Sequence, residues 1–288
     1  MVAQPNDRPG LSWLGAPIDA RPLFEPELEA LRGLLRRLRP GRWNETAVPG
    51  WTVHDVASHI LGDYYARLGR REFGAFAPGE SPETFIHRAN QEWVERHRDM
   101  DPASLVDALE EAGGELARRF ARADLDAPSL GVSWAGVDPA PMWLDCAREF
   151  TEYWTHRQQI RHAAGLGTDS EPGALSMVLD TFMRALPHTL RDTAAPAGTR
   201  VALTVTGPGG GTWTVTAGPE GWSLAEDGWP LTEDSGGRPA AATVELDTET
   251  AWRLCTRGVQ PADALARARV EGDPRLAEAA CRIVSIVY

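Results

Sequence analysis

Hydrophobic positions recur with the period of a helix through the first two thirds of the chain and alternate in the last third. Leu28, Leu31, Leu34, Leu35 and Leu38 share one helical face, and Pro40-Gly41 ends that run. A second helix is predicted to start after Thr52, an N-cap residue with Asp55 in the capping-box position. Its inward face is Val56, Ile60, Tyr64 and Leu68, with Leu61 beside them. Further helical patterns cover 82–98, 104–123, 141–164 and 172–190, and 126–139 reads as a connecting loop. After Pro196-Ala197-Gly198 the texture changes. Residues 201–206 and 212–216 alternate on either side of a Pro-Gly-Gly-Gly turn, which predicts a hairpin. Strands near 222–225 and 242–246 follow, then helices near 248–256, 261–266 and 274–287. The pattern predicts an α+β chain: a loose arm over 1–20, a helical bundle over 21–193, and a small α+β domain over 198–288.

Composition narrows the function. The chain has 288 residues and a formal charge of −12, from 29 basic against 41 acidic side chains. That balance argues against a nucleic-acid partner and against docking on an anionic membrane, and leaves a small molecule as the expected partner. Every basic side chain is Arg, so a lysine Schiff base or amine general base is excluded. Cys146, Cys255 and Cys281 are far apart and show no C-x-x-C spacing, which suits buried reduced thiols. The first ten residues lack a basic patch followed by an apolar run, and no apolar stretch is long enough for a span. The expected location is the cytoplasm.

One constellation carries chemistry. Glu152 and His156 lie four apart on a predicted helix, so they leave the same face one turn apart and can clasp one ion. A third ligand must come from another helix. His59 sits in the middle of the second one, with Asp55 and Asp63 four residues before and after it. A carboxylate beside a ligand histidine fixes its tautomer and raises its basicity. Two His and one carboxylate, with a position left open, is a set typical of catalytic zinc, and helical bundles build such sites from facing helices. On spacing alone the bland reading is the commoner one: an ordinary surface pair on an arginine-rich helix.

The segments PGWTVHDVASHI (49–60) and REFTEYWTHRQQIRHAAG (148–165) resemble the two signature stretches of the mycothiol-dependent maleylpyruvate isomerase family, within the DinB-like superfamily. RVEGDPRLAEAACRIVSIVY (269–288) is similar to that family's closing phrase, at the end of a sterol-carrier-protein-like domain. The resemblance implies a DinB-like four-helix bundle followed by a small sterol-carrier-protein-like α+β domain, with His59, Glu152 and His156 as ligands of a divalent metal, zinc being preferred. It also implies mycothiol as thiol cosubstrate and a small electrophile as substrate. Metal binding makes a thiol a thiolate at neutral pH, and the thiolate can add to an electrophilic carbon. An isomerase then eliminates the thiol after rotation about the freed bond, whereas a transferase keeps the adduct.

Other residues divide between functional and bland readings. Arg148, four residues before Glu152, can bind a substrate carboxylate or the polar groups of the thiol cosubstrate, or else pair with Glu149, Glu152 or Asp55. Asp63 can be a fourth ligand, a general base or an outer acceptor for a ligand histidine, the last being favoured. Arg157 and Arg161 read as a solvated face, and His54 as a surface residue off the ligand face. His87, His97, His162 and His188 read as structural or exposed. Trp51, Trp93, Trp143 and Trp154 read as core, with Trp143 and Trp154 near enough to wall a pocket. Cys146 lies off the ligand face and reads as a core thiol. Two rival functions stay open: a hydrolase that uses metal-bound water, and a non-catalytic metal-binding or sensory module.

Overall fold

The computed structural model describes residues 11–224 and 239–285, and places them in two compact units that interleave along the chain. The first ten residues of the expected arm, the last residue of the expected strand at 222–225 and the end of the last expected helix lie outside the described residues. Among the described residues, no helix is long and apolar enough to cross a membrane.

The helical unit comprises residues 20–123 and 149–169. Its helices are α1 (Phe24–Arg37), α2 (Val53–Arg67), α3 (Pro82–Arg96), α4 (Pro102–Ala121) and the greater part of α5 (Met142–Ala163). A short antiparallel ribbon, β1 (Thr46–Val48) with β2 (Trp51–Thr52), leads into α2. The leucine face predicted for α1 is the one buried, through Leu28, Leu31, Leu34 and Leu35. Glu25 and Glu27 in its first turn and Arg36 and Arg37 in its last suit the helix dipole. α2 packs against both α3 and α4, and every residue from Val53 to Gly62 is buried. A helix covered all round buries its polar residues as well, so His59 and Ser58 sit in the interior.

Two glycines allow this closeness. A Cβ on Gly113 of α4 would come within 2.7 Å of Leu28 and 2.8 Å of Tyr64. One on Gly62 would stand 2.7 Å from Nε1 of Trp93, whose indole lies against α2 and donates to the Ser58 carbonyl at 2.8 Å.

The sheet unit takes in the described residues 11–19, 124–148 and 170–285. The loop expected at 126–139 contains β3 (Pro128–Ser129), which pairs with β4 (Ala140–Pro141), and a turn of 3-10 helix at Ser133–Ala135. The helix expected over 172–190 is two: α6 (Pro172–Met183) and α7 (Leu186–Leu190). Pro187 accounts for the break, since it has no N–H to continue the first helix and suits the first turn of a second.

Five strands follow the order β7-β6-β5-β8-β9, namely β5 (Arg200–Thr206), β6 (Gly211–Gly218), β7 (Gly221–Leu224), β8 (Ala242–Asp247) and β9 (Arg269–Gly272). β5 pairs antiparallel with β6 in the expected hairpin and parallel with β8 on its other side. α8 (Thr248–Cys255), α9 (Pro261–Arg267) and α10 (Pro274–Ala280) complete the unit. β9 falls where no alternation marks it, because its four residues are all exposed. Thus a helical N-terminal region precedes a C-terminal sheet domain. All three cysteines are buried and none is in a disulfide among the described residues.

Candidate metal centre

The start of α2 fixes where its histidine points. Thr52 Oγ1 accepts from the Asp55 N–H at 3.2 Å, and Asp55 Oδ2 accepts from the Thr52 N–H at 2.9 Å, which completes the predicted capping box. Asp55 is thereby engaged at the cap and is not the acceptor that its spacing from His59 suggested.

Three side chains converge from α2 and α5. Nε2 of His156 lies 3.0 Å from Oε1 of Glu152, and Nε2 of His59 lies 3.5 Å from the same oxygen. The three ligand atoms lie within 4.8 Å of one another. Bonds of about 2.0–2.1 Å to a tetrahedral ion separate neighbouring ligands by about 3.3 Å, so the two shorter separations match the edges of such a site. Asp63 Oδ2 lies 3.3 Å from His59 Nε2. That is the nitrogen facing Glu152, so Asp63 does not serve the opposite ring nitrogen as an outer acceptor would. The opposite nitrogen, Nδ1, is buried and has no hydrogen-bond partner among the described residues.

The chemistry of this donor set fits a cation. Nδ1 of His156 faces Gln159 Oε1 at 2.7 Å; a carbonyl oxygen only accepts, so the proton sits on Nδ1 and Nε2 presents its lone pair. That lone pair and two carboxylates then face one another in a buried space, an arrangement that repels unless a proton or a metal ion lies between them. Burial works against charge on Glu152, yet His156 and His59 together hold its carboxyl well below the usual range. Burial pushes the Asp63 carboxyl up to about 6, with His59 opposing the rise and Glu152 and Glu149 adding to it. The His156 imidazole is lowered by burial but raised more by Glu152 and Gln159, for a net rise.

Several expected roles are corrected. His54 is buried, not on the surface, and its Nε2 meets the Met100 carbonyl at 2.8 Å. Arg157 is buried too and forks onto Glu27, Nε to Oε1 at 2.5 Å and Nη2 to Oε2 at 2.9 Å. Arg148 donates at 2.6 Å to the buried Asp145, three residues before it, an ion pair of the kind weighed for it but with a different acid. The indole at the site is Trp51, 5.0 Å from the His59 ring, with its Nε1 donating to Gln91 at 2.8 Å. Trp154 is fully buried core. Trp51 lies in the quoted 49–60 segment, in β2, and its place two residues before α2 is the signal that could have found it.

An α+β chain with two buried histidines and a half-buried glutamate converging from two bundle helices defines a candidate metalloprotein of the helical-bundle class. Residues 24–161 match the family model of the mycothiol maleylpyruvate isomerase N-terminal domain. His59, Glu152 and His156 all fall inside that segment. Among solved structures the chain is similar to a crystal structure of the mycothiol-dependent maleylpyruvate isomerase, at 14% identity and a TM-score of 0.47, over 81% of this chain and 86% of that one. A single-substitution mutant of that enzyme gives 14% identity and a TM-score of 0.43 over the same shares. At those scores neither likeness defines this fold. No curated protein matches the chain.

Proposed function

We propose that the chain is a metal-dependent enzyme that uses mycothiol to isomerise a small electrophilic substrate or to transfer the thiol to it. One observation carries the reading: the three donors converge inside the segment that matches the mycothiol maleylpyruvate isomerase domain. His59 Nε2, Glu152 Oε1 and His156 Nε2 are assigned to hold the ion, with zinc preferred for two imidazoles and a carboxylate. A bound divalent ion supplies the positive charge that makes a thiol a thiolate at neutral pH.

The chain's own residues do the rest. Gln159 locks the His156 tautomer through Nδ1. The Trp51 indole, pinned by Gln91, lies against the His59 ring and shields it from water. Asp63 Oδ2 is assigned to take the thiol proton, since it is the carboxylate oxygen beside the ligand set that is not itself assigned to the metal. Arg148 is assigned to a polar group of substrate or thiol, a role in competition with its ion pair to Asp145. The finer fold labels belong to the same proposal: a DinB-like four-helix bundle within 21–193, a sterol-carrier-protein-like domain within 198–288, and a cytoplasmic location.

Cobalt substitution tests the reading. Thiolate ligation adds a charge-transfer band to Co2+ that nitrogen and oxygen ligands do not. The band is expected to grow with added mycothiol and saturate near one equivalent, with proton release. No spectral change, together with no heat of binding by calorimetry, would remove mycothiol from the proposal and move the hydrolase or the non-catalytic module ahead.

A further inference from the structure

Behind Asp63 stands a cation that the mechanism above does not use. Arg71 follows α2 in the chain, and only 2% of its side chain is exposed. Its Nη2 donates to the Ala89 carbonyl at 2.6 Å, and its guanidinium lies 4.6 Å from the Phe73 ring and 5.2 Å from that of Trp93. Nη1 is buried with no hydrogen-bond partner among the described residues, and it faces Asp63 Oδ1 at 4.0 Å. That is ion-pair range but beyond a hydrogen bond, and too close for a water between. A buried guanidinium keeps its proton, so the charge is permanent. Nothing about the loop's sequence requires it: Arg70, next to it, is exposed and pairs with Glu115 at 2.6 Å.

Charge counting shows what it is there to balance. Two neutral imidazoles, the carboxylates of Glu152 and Asp63, and a divalent ion sum to zero. An anion taken into that centre without a proton for Asp63 to hold leaves a net negative charge in a largely enclosed place, which is costly unless a cation stands near. We infer that Arg71 sets the site's preference for anionic over neutral ligands, as a specificity-determining residue that acts through charge and does not touch the metal. The inference rests on the metal-centre reading and adds a ligand class: a small anion that enters without a proton.

The test uses the full chain loaded with Co2+, whose visible bands report on added ligands. Azide is the anionic probe and imidazole the neutral one. Arg71→Met is expected to weaken azide about tenfold, the order of a single charge lost at close range, while imidazole affinity changes by less than about twofold. Arg71→Lys is expected to retain most of the azide affinity. Asp63→Asn, which leaves Arg71 uncompensated, is expected to tighten azide and leave imidazole alone. Equal changes for both probes in Arg71→Met, or none for azide, would overturn the inference. Should Arg71→Met fail to hold Co2+, the Asp63→Asn/Arg71→Met pair compared with Asp63→Asn alone decides: weaker azide in the pair with imidazole unchanged supports the role, and any other result makes Arg71 structural. Wild-type protein that takes up no Co2+ removes the metal centre and this inference together, whereas Co2+ uptake with an azide affinity indifferent to Arg71 removes this inference only.

Discussion

His156 and Arg157 are neighbours on α5 and belong to opposite kinds of cluster. On one side, His156 joins Glu152, His59 and Asp63, a set whose facing atoms are lone pairs and carboxylate oxygens. On the other, Arg157 brings its own cation to Glu27 and to Asp169, the latter at 2.8 Å. Among the described residues no guanidinium is hydrogen-bonded to Glu152 or Asp63 in the first cluster, whereas in the second Arg157 is hydrogen-bonded to both Glu27 and Asp169. Both are buried, so burial alone does not distinguish a binding site from a structural ion pair. The difference lies in whether a cation of the chain is hydrogen-bonded to the carboxylates. Burial raises the Glu27 carboxyl above its ordinary value even though Arg157 pulls it down, so the arginine-paired cluster also carries a desolvation cost.

The comparison breaks most decisively at the metal. Purified protein is expected to hold about one Zn2+ per chain, from the donor set. The His59→Ala/His156→Ala double variant is expected to hold almost none, whereas His54→Ala keeps it, because His54 turns to the Met100 carbonyl. Elemental analysis decides; equal metal in wild type and the double variant ends the site's candidacy.

Next in size is the arginine-paired cluster. Arg157→Leu leaves Glu27 buried without its forked partner and is expected to cost about 3–5 kcal/mol in denaturant unfolding. The Glu27→Leu/Arg157→Leu pair removes both charges and is expected to recover most of that loss. A double variant no more stable than the single one would mean the fork does more than neutralise Glu27.

What was legible in the sequence follows the same line. The first cluster could be read because two of its ligands are four apart on one helix, and because a capping box announced where the other helix starts. Glu27 and Arg157 lie 130 positions apart. No periodicity ties them, so Arg157 read as a solvated arginine. Arg71 sits in a loop with no pattern at all, and its burial depends on the Phe73 and Trp93 rings that cover it. Hydrophobic periodicity located the helices and the hairpin. It did not reveal β9, whose residues are exposed, or the parallel pairing of β5 with β8, which joins strands far apart in sequence. The single helix expected at 172–190 overran because apolar residues continue through the Pro187 break.

Packing around the site gives a smaller effect. Gly62→Ala places a Cβ 2.7 Å from the Trp93 indole nitrogen and forces that ring off α2. The expected cost is about 1–3 kcal/mol, the usual range for overpacking, with metal content unchanged because the ligand atoms lie elsewhere. Loss of metal along with stability would show that Trp93 positions the centre.

The smallest effect sharpens the contrast from outside the core. Glu80 and Arg88 form another hydrogen-bonded ion pair, Oε2 to Nη2 at 2.8 Å, at the edge of the helical unit. Hydrogen bonds from Arg88, and then from the Ala77 N–H, push the Glu80 carboxyl down to about 2 from an ordinary 4.5. A depressed folded value means the contribution is fully present above the ordinary value, and it is lost as pH falls from there through about 2. Near neutral pH, Arg88→Gln is expected to leave denaturant stability almost unchanged, because water already solvates the arginine end of the pair. An NMR titration of the Glu80 carboxyl carbon is expected to show a midpoint near 2 in the wild type and a clear rise in Arg88→Gln. If Arg88→Gln instead destabilised the chain as much as Arg157→Leu, hydrogen bonding to a cation of the chain and not burial would set the worth of a pair, and the contrast drawn on α5 would have to be restated in those terms.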